Sequence, residues 1–358
     1  MENGKHGLAP NVLALFRSPT LVATILLILC YSFSFTFQGF LPSYIRAITG
    51  SIITLILPGY YLNRLLSRSK FSKSAEIAVS IGLSISILQF LTLIMGSSQG
   101  GMSSLPIGFA IASLTLALAF TATYRESSSI PEDIKRGTTF SNRSILFIAA
   151  VISLFLFSFY LRARTLTSIP YSGSIGYIYD TPYHYAYADY MSKEESISLT
   201  APYYWSESRI PRPSTEYYPY PFFSLLLVAL QKVTGLEMLT CFKIFPTLIS
   251  SLIPFSWLCL LEEMKSSKAT ELTSMLLLST SSFLMGLLYE AALPGNIALF
   301  IIPLILIQLA ANPSRASTVS TALMVVSVTL THALTLIALA PLPLLVFIAL
   351  REDRRTLA

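Results

Sequence analysis

The chain has 358 residues, of which 53% are hydrophobic and only 12% charged, with a formal net charge of +6. A soluble domain carries roughly 25% charged residues, so a water-facing surface of this size is excluded and lipid is the expected solvent. The basic residues sit in short segments between apolar runs, in no stripe or tail and with no recognition motif, which argues against nucleic acid as a partner.

In chain order, residues 1–20 are short and polar, and the run 21–38 lacks a small-residue cleavage pattern, so it reads as a retained first span. Runs at 47–62, 75–96, 105–123 and 145–161 follow, each near the length needed to cross a bilayer. Residues 162–220 are rich in Tyr, Ser and Pro and hold no long apolar run. The stretch 221–230 is too short to cross and reads as a helix lying in the membrane interface, ended near Gly235. Further spans are expected at 239–261, 270–289 and 295–311. The run 317–350 is too long for one crossing and divides near His332, with Thr329, Thr331, His332 and Thr335 around the bend. The expected fold class is an all-α polytopic membrane protein with about ten transmembrane helices and one large extracytoplasmic loop, 162–238, containing short helices.

Charge sets the expected orientation, because Lys and Arg in short loops favour the cytoplasm. With both termini cytoplasmic, groups such as Arg64, Arg68, Lys70 and Lys73, or Arg351, Arg354 and Arg355, all lie inside, and the short outer loops keep only Arg46. Counting 221–230 as a span would turn Lys265, Lys268 and Arg315 outward. The organisation that follows is a four-span module at 1–124, a cytoplasmic linker at 125–144 and a membrane domain at 145–358, in a multi-pass protein of the cell membrane.

Chemistry-bearing residues gather on the expected outer face. In Tyr179-Asp180-Thr181-Pro182-Tyr183-His184, a helix can start at Pro182 with Asp180 or Thr181 as its cap. Asp180 also suits a general base held near lipid, where a carboxylate binds its proton more tightly, with His184 as helper. Arg209 and Arg212, on a Pro-stiffened segment, suit a phosphate, or are ordinary loop charges beside headgroups. Glu216 precedes Tyr217 and Tyr218, which read as an interface belt or, with Trp205, as a surface for a sugar ring. Glu290 and His332 fall at outer span ends, where ionisable groups are candidates for function or simply touch water. Lys243 and Pro294-Gly295-Asn296 read as loop-end features. Cys30, Cys241 and Cys259 form no CxxC pair and no Cys/His cluster, so neither a disulfide frame nor a metal site is expected. P-loop, GxGxxG, GxSxG and HExxH patterns are absent, and no cofactor is expected.

The stretch 145–261 resembles the GT-C superfamily of membrane glycosyltransferases. In that family a span leads into a long outer loop with an acid near its start, matched here by Asp180. A Tyr-Pro segment and a short apolar helix follow, as in Tyr218-Pro219-Tyr220-Pro221-Phe222-Phe223. Then come a Gly turn, Thr234-Gly235-Leu236, and a span opening with Lys243-Ile244-Phe245-Pro246. Thr331-His332-Ala333-Leu334-Thr335 is similar to a late segment of archaeal and bacterial members. The first 120 residues resemble a four-span module fused ahead of such domains in archaeal proteins, through Leu57-Pro58-Gly59-Tyr60 and Ile81-Gly82-Leu83-Ser84.

The resemblance implies transfer of a sugar from a polyprenyl-phosphate-linked donor, bound from membrane lipid on the extracytoplasmic side. It implies Asp180 as base and Arg209 or Arg212 on the phosphate. The acid-x-acid metal pair of oligosaccharyltransferases is missing, since Thr181 and Pro182 follow Asp180. About six GT-C-like spans are present where many relatives carry more. A lipid-binding, transport or partner membrane subunit of a glycan-assembly complex is the alternative.

Overall fold

The computed structural model describes residues 18–36, 39–66, 71–128, 142–167, 181–197, 221–282, 284, 293–310 and 315–332. Among them the regular elements are all helical: α1 (Pro19–Thr36), α2 (Phe40–Leu55), α3 (Leu57–Leu66), α4 (Lys73–Gly96), α5 (Ser104–Ser128), α6 (Asn142–Thr167), α7 (Thr181–Glu194), α8 (Phe222–Thr234), α9 (Met238–Glu263), α10 (Lys268–Ser279), α11 (Leu293–Ala310) and α12 (Arg315–Thr331). Five stretches are long and apolar enough to cross a membrane: Leu41–Leu66, Lys73–Gly96, Ser104–Glu126, Ile145–Arg164 and Met238–Glu263. The expected spans at 21–38, 295–311 and the first half of 317–350 correspond to shorter apolar helices, Pro19–Phe35, Pro294–Ala310 and Thr318–Thr331. Of the span expected at 270–289, α10 supplies the first part. The last span, beyond His332, lies outside the described residues.

The second span starts earlier than its apolar run suggests and is broken. It begins at Phe40 and is interrupted at Ile56 (φ −125°, ψ −55°), just ahead of Pro58. Proline has no amide hydrogen to give the ladder and restricts the residue before it. Directly after the break, Gly59 lets α3 press on α4. A Cβ there would lie 1.9 Å from the Ser80 carbonyl oxygen, and the Gly59 amide donates to Ser84 Oγ at 2.8 Å. The Leu57–Tyr60 and Ile81–Ser84 segments thus meet face to face.

Three expectations need correction. Arg46 is not a loop residue. It lies within α2, where it donates from Nε to the Val233 carbonyl (3.0 Å) and from Nη2 to the Lys232 carbonyl (2.6 Å), and stacks over the Phe35 ring at 3.9 Å. It thereby closes the C-terminus of α8, whose free carbonyls favour a cation, beside the left-handed Gly235 (φ 72°).

Second, α8, expected to lie along lipid in the membrane interface, leaves no apolar face open to it. Phe222 to Leu230 are buried without a break, as befits a helix that is apolar all round. At 13 residues it spans about 20 Å and is packed among α2, α4, α5, α7, α9 and α12.

Third, the large loop does not begin at 162, because α6 continues to Thr167. Arg162 is fully buried and donates to Ser250 Oγ (3.0 Å), to Ser158 and to the carbonyls of Ser279 (3.1 Å) and Leu278 (3.4 Å). The last two are carbonyls at the end of α10, so a helix dipole offsets the charge in place of a carboxylate.

The hydrophobic core runs without interruption through both halves of the sequence, joining Tyr31, Leu83 and Ile107 to Leu226, Phe245, Phe300 and Met324. Polar bonds fasten α4 to the second half near its start. The Ser72 amide donates to Glu263 (2.8 Å), Ser74 donates to Glu262, and Lys268 bridges Glu262 (3.1 Å) and the buried Glu271 (2.9 Å). Carboxylates at a helix N-terminus are favourably placed.

The Gly59 contact generates a direct test. Gly59→Ala forces α3 off α4 and is expected to cost about 1–3 kcal/mol, the range for overpacking. The readout is a lower thermal midpoint in detergent; an unchanged midpoint would mean that the approach is loose.

Candidate functional site

The helix α7 starts at Thr181 with Pro182 in its first turn, as the sequence suggests; its far end is tied down twice. The Met102 amide donates to the Glu195 carbonyl (3.1 Å) and the Ile197 amide to the Gly96 carbonyl (3.0 Å). Ser192 donates to Gln231 of α8 (2.8 Å), and Lys232 pairs with Glu195 (3.2 Å). These contacts seat α7 across the α4–α5 turn and over α8.

His184, in the first turn of α7, is buried. Its ring meets Phe223 edge-on at 5.2 Å, and Phe223 meets Phe242 at 6.4 Å, with Tyr185 edge-on to Phe242 at 5.6 Å. Burial, and secondarily the charge of nearby His332, push the His184 pKa down to about 3. The imidazole is therefore neutral near pH 7, with one nitrogen donating and the other accepting. It can orient a polar group but is a poor proton carrier.

Beneath this pair lies a buried polar knot that sequence reasoning missed. Gln89 Nε2 donates to the Phe222 carbonyl (3.2 Å) and to Thr331 Oγ1 (3.1 Å), while Ser327 Oγ donates to Gln89 Oε1. Thr331 in turn donates to the Ser327 carbonyl at 2.7 Å. One amide thus fixes α4, α8 and the end of α12, and His332 is the next residue.

Asn296, on α11, is a second buried amide. Ser320 of α12 donates to Gln308 of α11 at 3.2 Å, and a Cβ on Gly82 would touch both Leu304 and Met324. The two helices are antiparallel, so each step up one is a step back along the other. Continuing that register about 12 Å brings Asn296 level with His332. Asn296 is 0% exposed, yet neither its amide nitrogen nor its amide oxygen has a hydrogen-bond partner. Such a group demands an explanation; a hydroxylated ligand or a trapped water supplies one. The signal for both residues is an amide at or within an apolar run: Gln89 is not singled out in the sequence, and Asn296 reads there as a loop-end feature.

Of the sequence-derived site residues, the structure brings His184 and His332 together. Asp180, Arg209, Arg212, Glu216, Tyr217, Tyr218 and Glu290 lie outside the described residues. Among the described residues, no group of three or more His, Cys, Asp or Glu side chains is placed to hold a metal ion.

Residues 215–357 match a family model described as 6-pyruvoyl-tetrahydropterin synthase related domain; membrane protein. The chain is a membrane protein. The match spans under half of it, taking in α8 to α12 with Asn296 and His332, and leaving out α4 and α7. No curated protein and no solved structure matches.

The depressed pKa of His184 has a signed consequence. Between about pH 3 and the unfolded value near 6.5, the unfolded chain binds the extra proton, so this contribution to stability is complete above pH 6.5 and is lost as pH falls toward 3. In His184→Phe the dependence is absent. Thermal midpoints of wild type and variant, measured from pH 7 to 4, should show wild type falling more steeply; parallel curves would contradict the burial of a neutral imidazole.

Proposed function

We propose that this membrane protein transfers a sugar from a polyprenyl-phosphate donor to an acceptor hydroxyl, on the membrane face that carries α7. The observation supporting this most directly is the neutral, buried His184 coupled to His332, above a knot of amides and hydroxyls and on a helix that follows directly on Asp180. Donor–acceptor groups of this kind suit sugar hydroxyls.

In the proposed step Asp180 takes the acceptor proton as the acceptor oxygen bonds to the anomeric carbon. The bond from that carbon to phosphate oxygen breaks, and polyprenyl phosphate leaves. Arg209 and Arg212 are assigned to the departing phosphate, with Glu216, Tyr217, Tyr218 and Glu290 around the sugar. His184 acts by orientation, since a pKa near 3 leaves it little capacity as a base. The α7 face is taken as extracytoplasmic, with both termini cytoplasmic.

The same burial supports a second reading, a lipid-binding or partner subunit without turnover, because a His184 held neutral is a poor proton carrier.

Membranes containing the wild-type chain should move labelled sugar from polyprenyl phosphate to an acceptor, and Asp180→Asn should abolish the transfer while binding the donor. Transfer undiminished in Asp180→Asn removes the base assignment. Donor binding with no transfer to a range of acceptors selects the second reading.

A further inference from the structure

A cavity of about 370 Å³ opens on the side of the bundle between α1 and α5, with neither histidine in its lining. It is lined by Tyr31, Ser32 and Phe35 on α1 and by Pro106, Gly108 and Ala112 on α5, among others. Its rim is apolar and exposed, with Leu105 72% and Phe109 74% accessible. In a bilayer such a rim faces hydrocarbon.

Two features separate this groove from an ordinary gap between helices. First, Tyr31 is 3% exposed, yet its hydroxyl has no hydrogen-bond partner. Tyr31 and Gly108 both line the groove, and the hydroxyl is packed against Gly108, where an added Cβ would sit 2.6 Å from it. A bare hydroxyl in an apolar wall costs free energy unless an acceptor meets it. Gly108 is the position that leaves it room. Second, a ladder of side chains leads from that hydroxyl to a cation. Tyr31 meets Phe35 edge-on at 5.1 Å, one helical turn along α1, and Phe35 lies 3.9 Å beneath the Arg46 guanidinium. Arg46 spends Nε and Nη2 on the end of α8, while Nη1 makes no hydrogen bond with the described residues.

The depths agree with a lipid. Tyr31 lies five residues before the end of α1 and Gly108 four residues after the start of α5, so both are about 6–8 Å inside the helix ends. That is where a membrane lipid passes from phosphate through its glycerol linkage to its chains.

We infer that the α1–α5 groove is a binding site for a bilayer phospholipid, with a chain in the cavity, a linkage oxygen accepting from the Tyr31 hydroxyl and the phosphate against Arg46. This site is separate from the proposed transfer centre and does not depend on it.

The test uses the full chain in nanodiscs doped with a phospholipid carrying a photoreactive diazirine in its acyl chain, followed by mass spectrometry of the labelled peptides. Labelling is expected to concentrate on peptides holding Tyr31–Phe35 and Leu105–Ala112, above that on the lipid-facing Leu146 and Leu156 of α6. Tyr31→Phe should lower it about fivefold, the factor for one hydrogen bond. Gly108→Ala should displace the hydroxyl, and Ala112→Phe should fill the cavity; each is expected to remove the enrichment while the chain stays monodisperse. Labelling of α1 and α5 no higher than that of α6 overturns the inference. So does enrichment that survives both Tyr31→Phe and Ala112→Phe in folded protein.

Discussion

The structure hinges on the need to satisfy one carboxamide inside an apolar bundle. Gln89 sits inside a membrane-length helix, about two turns from its C-terminal end and fully buried, so its two hydrogens and its oxygen must find partners within the protein. It finds them on α8 and α12, which come from far along the chain. Apolar packing alone tolerates helices sliding past each other by a fraction of a turn; a three-way amide contact does not. The knot therefore sets the height of α12 against α4 and of α8 beneath α7, and through them the position of His184 over His332.

Gln89 acts at depth, and the bonds near the start of α4 act where that helix leaves the bundle. There Ser72, Ser74, Lys268 and three glutamates join α4 to α9 and α10 through charge-assisted bonds. Between the two clusters glycines allow close contact, Gly59 with the Ser80 backbone and Gly82 with the Leu304 side chain. The part of the chain that precedes residue 125 is thus structurally inseparable from the part that carries the histidines. The region expected from sequence to be a four-span module contributes Gln89, which bonds to the helices carrying Phe222, Ser327 and Thr331.

What was legible in the sequence follows from what leaves a periodic or local trace. Long apolar runs announced the membrane helices. Pro182 after Asp180 and Thr181 marked the start of α7, because proline fits a first helical turn, and the polar group around His332 marked the place where α12 ends. Non-local facts left no such trace. Phe222 to Leu230 look the same in sequence whether they float in an interface or fill a core; only the surrounding helices decide. Arg46 looked like a loop charge because an apolar run says nothing of where a helix starts, and its task is to meet carbonyls nearly two hundred residues away. Asn296 was passed over as the end of a loop, although Pro-Gly before it is also how a helix can begin.

Arg162 carries a consequence for how the chain is made. Its guanidinium is lodged among carbonyls and hydroxyls supplied by α9 and α10, segments synthesised well after α6. Until they arrive, a cation near the end of an apolar helix stays solvated by reaching toward headgroups and water. The last turns of α6 must therefore remain at the membrane boundary during biogenesis and sink into place only when the later helices dock. A nascent chain halted before Ser250 would hold that arginine open to solvent, while the finished protein shuts it away. Burial of this single side chain thus distinguishes a helix that has merely been inserted from a bundle that has closed.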